Sequence, residues 1–219
     1  MAELRTEEEQ VQALKEWWKE NGKSLILGVA AAVAIVFGWK GWQSHQEQKA
    51  ANASVLYQNL TQAVQLSAGG ANEAQYATAG HLSEQLRQEY GKTTYARYGA
   101  LMMASVAVSN QAPDRALEEL NWVIENTSEV DDVVRVAILR KAMLLGQKGD
   151  LDAAINLLSN ADAGYYEVQY QEVLGDLYVS SDRPADAFKA YDQALKLAGG
   201  EQLRPLLKMK RDDLAGAES

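Results

Sequence analysis

Cysteine is absent from this chain of 219 residues, which excludes disulfides, thiol nucleophiles and cysteine-based zinc sites. Proline occurs three times and phenylalanine twice. Alternating β-branched runs are missing, which leaves helical periodicity as the organising pattern. His45 and His81 are the only histidines and fall in unrelated segments, so neither reads as a metal ligand. No phosphate loop, G-x-S-x-G or H-E-x-x-H is present. The acidic clusters Glu7–Glu9 and Asp131–Asp132 read as a first helical turn and a loop. No catalytic, cofactor-binding or metal-binding residue is therefore expected, and the chain reads as non-enzymatic. Positive charge is scarce too, with 21 Lys and Arg against 30 Asp and Glu, a net charge of −9. From Ser44 onward the balance is −8. Nucleic-acid binding depends on neutralising phosphates, so no nucleic-acid partner is expected.

Long hydrophobic runs are also missing, with one exception. "KSLILGVAAAVAIVFGWKGW", Lys23 to Trp42, holds sixteen consecutive non-ionisable residues from Ser24 to Trp39. As a helix that is roughly 24 Å, and roughly 28 Å if Lys40 reaches back to the headgroups and the span continues to Trp42. A hydrocarbon core is about 30 Å thick, so the span is short but sufficient. The segment is apolar all round, unlike a soluble core helix, and Trp39 and Trp42 stand where interfacial aromatics belong. A cleaved signal peptide is the competing reading. The run, however, follows an acidic, helix-like segment, and "FGWKGWQSHQ" is bulky where a cleavage site needs small residues. These features predict an uncleaved transmembrane helix over residues 24–43. Arg5, Lys15, Lys19 and Lys23 precede it, whereas Lys40 and Lys49 follow, which places the N-terminus in the cytoplasm and the long C-terminal part outside it.

Residues 1–23 read as a cytoplasmic amphipathic tail. Thr6 and Glu9 form a capping-box pattern, and "NG" at Asn21–Gly22 is a stop signal. Val11, Leu14 and Trp18 share a stripe with Trp17 beside it. The stripe suits either a helix lying on the membrane surface or a docking helix for a cytoplasmic partner.

Residues 44–219 read as helical repeats. In "VQYQEVLGDLYVSSDRPADAFKAYDQALKL", Gly175 and Ala187 are small where two helices touch, and Tyr178 and Tyr191 fill the volume beside them. Ala142, Leu145, Ala154, Leu158 and Ala161 occupy the same frame 33 residues earlier, with "GDLDAA" as the turn. A third unit, with Ala104, Ala116, Leu120 and Val123, is offset by 38, which places a small insertion in "TSEVDD". Upstream stands a helix pair without the repeat consensus. Its first helix should continue from the membrane helix, because no Gly or Pro falls between Trp42 and Leu66. "SAGGAN" is the loop between the pair. A capping helix with Pro205 early in it closes the array. The predicted fold is thus all-α: one transmembrane helix followed by a tetratricopeptide-like right-handed solenoid.

In such repeats the concave face is lined by positions of each first helix that point away from the second. Here these are Tyr98, Leu101 and Ser105, then Val136, Leu139 and Met143, then Gln169, Glu172 and Asp176. The first two sets are mostly apolar and suit adaptable peptide contacts. The third is polar and acidic. The alternative is that these side chains fill the array's own groove.

"EEQVQALKEWWKENGK" running into the apolar span, then "GWKGWQSHQ", "TTYARYGALMMA", the "GDLDAA" turn and "GDLYVSSDRPADAFKAYDQAL" together resemble the YfgM family, ancillary subunits of the bacterial SecYEG translocon. The resemblance covers nearly the whole chain. It implies a single-pass inner-membrane protein with a periplasmic repeat domain. It further implies work beside SecYEG with a membrane-anchored prolyl-isomerase-like periplasmic chaperone, passing emerging unfolded polypeptides to periplasmic chaperones. It brings no catalytic residues and no cofactor. A tetratricopeptide scaffold for another cell-envelope assembly machine is the alternative.

Overall fold

The computed structural model describes residues 7–67, 73–127, 130–200 and 204–215. These fall into two compact units that divide between Ala51 and Asn52. The first helix, α1 (Glu7–Ser67), passes through the apolar run and ends in the second unit. Eight shorter helices follow: α2 (Glu73–Tyr90), α3 (Thr94–Ser109), α4 (Pro113–Glu125), α5 (Asp132–Lys148), α6 (Leu151–Ser159), α7 (Glu167–Ser180), α8 (Pro184–Leu197) and α9 (Pro205–Asp212). A short 3-10 turn, Gly164–Tyr166, precedes α7. Among the described residues every regular element is helical.

Within the first unit, α1 carries one segment long and apolar enough to cross a membrane. Its large side chains, Leu25 to Phe37, are exposed, as on a helix whose partners are not other protein segments. Trp39 and Trp42 face each other at 5.3 Å between ring centroids. The stop expected at Asn21–Gly22 does not occur: the helix runs straight through. Asn21 Nδ2 donates to the Trp17 carbonyl at 3.0 Å, one turn back, and the Trp18 indole lies over Gly22 where a Cβ would sit. The strong helix formers on both sides outweigh the cost of one glycine, about 1 kcal/mol. Thr6 of the capping box, and residues 68–72 of the "SAGGAN" loop, lie outside the described residues.

The second unit begins with the α1–α2 pair. Ala53, Leu60 and Ala63 of α1 pack with Ala79 and Leu86 of α2 and Ala96 and Met103 of α3. The three repeat units follow as α3–α4, α5–α6 and α7–α8. Their register can be read from the backbone. Gln111, Gly149 and Asp182, offset by 38 and then 33, all take positive φ, at 57°, 88° and 56°. The next residue's N–H closes back on the carbonyl five before it in each case: Ala112 on Ala107, Asp150 on Leu145, Arg183 on Tyr178. This left-handed helix ending favours glycine, and two of the three turns hold it with a polar residue instead. The three prolines each open a helix, α4, α8 and α9, where the missing N–H has no helical partner to lose.

The contact positions behave as the frame requires. Ala104, Ala116, Ala142, Ala154, Ala187 and Ala194 are buried. A Cβ on Gly175 would stand 2.3 Å from the Tyr191 ring, so glycine is what lets α7 and α8 close on that aromatic. The α5–α6–α7 core gathers Val134, Ile138, Ile155, Leu158, Tyr170, Leu174 and Leu177, with Leu139 packed against it. Tyr170 Oη donates to the Arg135 carbonyl at 2.8 Å, and burial pushes its hydroxyl up to about 12.

Candidate functional site

The first helices of the three units, α3, α5 and α7, stand side by side, and what lies between them decides whether the array offers a groove. At the α5/α7 junction the two helices approach closely at a glycine. Leu177 of α7 reaches over Gly146 of α5, where a Cβ would lie 2.5 Å from Leu177 Cδ2. One unit earlier the residues in the same two frame positions are Leu144 and Val108. The β-branched Val108 stands where the glycine stood; Leu144 itself is buried with the alanines of α3. A groove of about 290 Å³ remains, walled by Ala104, Ser105, Val108 and Ser109 of α3 and Arg140, Met143, Leu144 and Gln147 of α5, with Leu120 of α4 at its floor. Small alanines and serines on α3 add to the opening.

The junction is tied at its ends. Asp131 caps α5 by accepting from Val133 N and Val134 N at 3.0 and 3.1 Å, and its other oxygen pairs with Arg97 of α3. Burial pushes the Asp131 carboxyl up, but the Val134 N–H and Arg97 outweigh it and hold it below the usual carboxylate range. Lys148 at the far end of α5 pairs with Asp114 of α4. Between these ties Arg140 Nη1 donates to the Leu101 carbonyl at 3.1 Å.

The expected groove residues divide into three groups. Met143 and Ser105 line the opening, Met143 at 45% exposure. Tyr98 is equally exposed on α3, outside the groove's lining. Leu101 does not face the opening: at 8% exposure it belongs to the α3–α4–α5 core, and its carbonyl, not its side chain, meets Arg140. Val136 is half-buried against that same core, and Leu139 against the next one. The acidic set is used internally. Glu172 accepts from Arg204 at 3.2 Å and Lys210 at 3.4 Å, and Asp176 from Tyr191 Oη at 2.6 Å and Lys210 at 2.8 Å. These ion pairs seat α9 on α7, with Leu207 buried between them and α8. Burial first, then Asp176, pushes the Tyr191 hydroxyl far up. Burial lowers the Lys210 ammonium, but Asp176 and Glu172 raise it further, so it stays charged. Gln169 is half-covered, with its side-chain oxygen buried and unpaired.

A buried charge escaped the sequence reading. Glu119 of α4 is fully buried. Its Oε2 accepts from Ser83 Oγ of α2 at 3.3 Å and lies 3.4 Å from Arg87 Nε, while Oε1 lies 2.8 Å from Arg115 Nη2. Burial pushes its carboxyl above the usual range, and Arg87 and Arg115 pull it back only in part. The signal was present: Glu119 follows Ala116 by three and precedes Leu120 and Val123 on one helical stripe, a carboxylate in an apolar row. The cluster joins α2 to α4. Among the described residues no group of three or more His, Asp or Glu could hold a metal ion.

The chain matches the tetratricopeptide repeat-like domain family over residues 15–216. It is 31% identical over 215 residues to the Haemophilus influenzae protein named ancillary SecYEG translocon subunit, an alignment covering 98% of this chain and 100% of that one. With the Escherichia coli protein of the same name it shares 29% identity over 209 residues, 95% of this chain and 97% of that one. A crystal structure of Podosopora anserina kinesin-light-chain repeats of nearly identical tetratricopeptide-like type aligns with a TM-score of 0.50 at 14% identity. That alignment covers 76% of this chain and 94% of that one, a likeness of fold alone.

Proposed function

Because the chain belongs to the YfgM-like family of ancillary SecYEG translocon subunits, we propose that it is a non-enzymatic, membrane-anchored interaction module. It sits beside SecYEG and helps pass emerging, unfolded polypeptides to periplasmic chaperones, among them a membrane-anchored prolyl-isomerase-like one. Residues 24–43 are its single span in the bacterial inner membrane, residues 1–23 its cytoplasmic tail, and residues 44–219 its periplasmic domain. The lysine and arginine excess ahead of the span supports that orientation.

The observation that carries the reading is the open groove between α3 and α5. Its walls are mostly apolar surface, with Arg140 and Gln147 among them, and Met143 is unbranched and adaptable, which suits a partner recognised through exposed apolar side chains. At about 290 Å³ the groove seats one or two side chains and lies at the lower end of small-molecule sites. Met143 is the client-side residue in the groove and exposed Tyr98 a second one beside it; Val136 and Leu139 support α5 from the cores behind. Leu101 shapes the wall from behind.

A photo-crosslinking residue at Met143, in the full-length protein in membranes, tests this against a secretory chain stalled in SecYEG. The expected result is a crosslink to the stalled chain from Met143 and none from Lys196 on the exposed side of α8. Equal crosslinking from both positions, or from neither, would overturn it. Purification in mild detergent should bring down SecYEG and the anchored chaperone; recovery of a different envelope complex instead would redirect the reading.

A further inference from the structure

Arg140 departs from a rule that the rest of the second unit obeys. Arg87, Arg97, Arg115, Arg135, Arg183, Arg204 and Arg211 each pair with a carboxylate. Arg140, alone among the described arginines, has no carboxylate partner. This occurs in a chain with 30 acidic residues against 21 basic ones, where acidic partners are plentiful. Arg140 is exposed and walls the groove. Its guanidinium is already oriented, because Nη1 is held at 3.1 Å by the Leu101 carbonyl. The remaining N–H groups form a planar fork suited to a carboxylate.

Resting on the client-binding reading above, we infer that Arg140 is a specificity residue of the groove: it receives the side-chain carboxylate of an extended client segment whose apolar side chain seats against Met143 and Leu144. The spacing supports this. Arg140, Met143 and Leu144 are neighbours at i, i+3 and i+4 on α5, about 5–6 Å apart. In an extended peptide, side chains two residues apart share a face at about 6.6 Å. The matching segment is therefore an apolar residue and an aspartate or glutamate with one residue between them. The carboxylate belongs to a side chain because a polypeptide still crossing the membrane has not released its C-terminus. The overall −8 of the domain does not forbid it: beyond about 8 Å such charges are screened at physiological salt, whereas the Arg140 contact is direct.

Fluorescence anisotropy of the full-length protein in detergent micelles, with labelled, C-terminally amidated peptides carrying Leu-Ser-Asp or Leu-Ser-Asn in a Gly-Ser background, tests this. The wild type should bind the aspartate peptide about fivefold tighter, the upper range for an exposed ion pair. Arg140→Gln should bind both peptides as the wild type binds the asparagine one. Equal affinities in the wild type, or a preference that survives Arg140→Gln, would overturn the inference and leave client binding standing. Loss of both peptides alike in Arg140→Gln would overturn it as well, by making Arg140 a shaper of the groove. A twin whose only carboxylate is a free C-terminus should gain nothing, and a gain confined to that twin would replace the inference with recognition of finished chains. Failure of the wild type to bind either peptide would remove the client-binding reading and this inference together.

Discussion

Two junctions of the same array end differently. Between α5 and α7, Leu177 closes on Gly146; between α3 and α5, Leu144 and Val108 stand on the walls of an open groove. The leucine is the same and buried in both; what differs is the facing position, Gly146 in one and the β-branched Val108 in the other, together with the small Ala104, Ser105 and Ser109 of α3. Repeat proteins stack by nearest-neighbour contacts, so a few residues at one contact can open one junction and leave the next intact. A groove can thus be local to one junction rather than a property of the array.

The comparison is broken most severely at Leu139. That side chain packs on the α5–α6–α7 core, so Leu139→Asp places a carboxyl against that core without a partner. A loss of about 3 kcal/mol is expected, read by chemical denaturation of the domain. Met143, one turn on and facing the open junction, is the contrast: Met143→Asp should change stability by no more than about 0.5 kcal/mol. Equal losses would mean that both residues are core.

Gly146→Val copies the open junction onto the closed one. Helix propensity gains a few tenths of a kcal/mol, but the overpacking against Leu177 costs about 1–3 kcal/mol. The net expectation is a loss of about 2 kcal/mol and a melting temperature lower by about 5 °C, followed by circular dichroism. An unchanged melting temperature would mean that α7 shifts freely and that Gly146 does not set the spacing.

The smallest effect concerns what holds the open junction together. Asp131→Ala removes the α5 cap and the Arg97 pair and should cost about 1 kcal/mol at neutral pH. The Asp131 carboxyl titrates lower in the fold than its ordinary 3.8, so its contribution is present above that value. The contribution disappears as pH falls through the lower, folded-state value. Wild type and variant should therefore differ in stability at pH 7 and converge on strong acidification. A constant difference at all pH values would assign the effect to the cap geometry alone.

Much of this molecule could be read from residues a turn apart. The apolar run, the helix-opening prolines, the small residues at Ala142, Ala154, Gly175 and Ala187, and the 33- and 38-residue offsets are local signals. The left-handed residues at Gln111, Gly149 and Asp182 carry the same register. Local signals also misled once, at Asn21–Gly22, where a turn dipeptide lies inside a helix whose flanks propagate through it. What the tertiary structure alone decided depends on residues dozens of positions apart. The groove exists because packing sets Ser105 and Val108 of α3 across from Arg140 and Met143 of α5, and Leu101 is absent from it because α4 and α5 enclose that side of α3. Glu172 and Asp176 are unavailable because α9 brings Arg204 and Lys210 onto them, and Glu119 is tolerated in a core because α2 delivers Ser83 and Arg87 to it. The physical reason is the range of the forces: helix propensity and capping act within a turn, whereas steric contact and ion pairing act only between side chains that packing has already brought within a few ångströms.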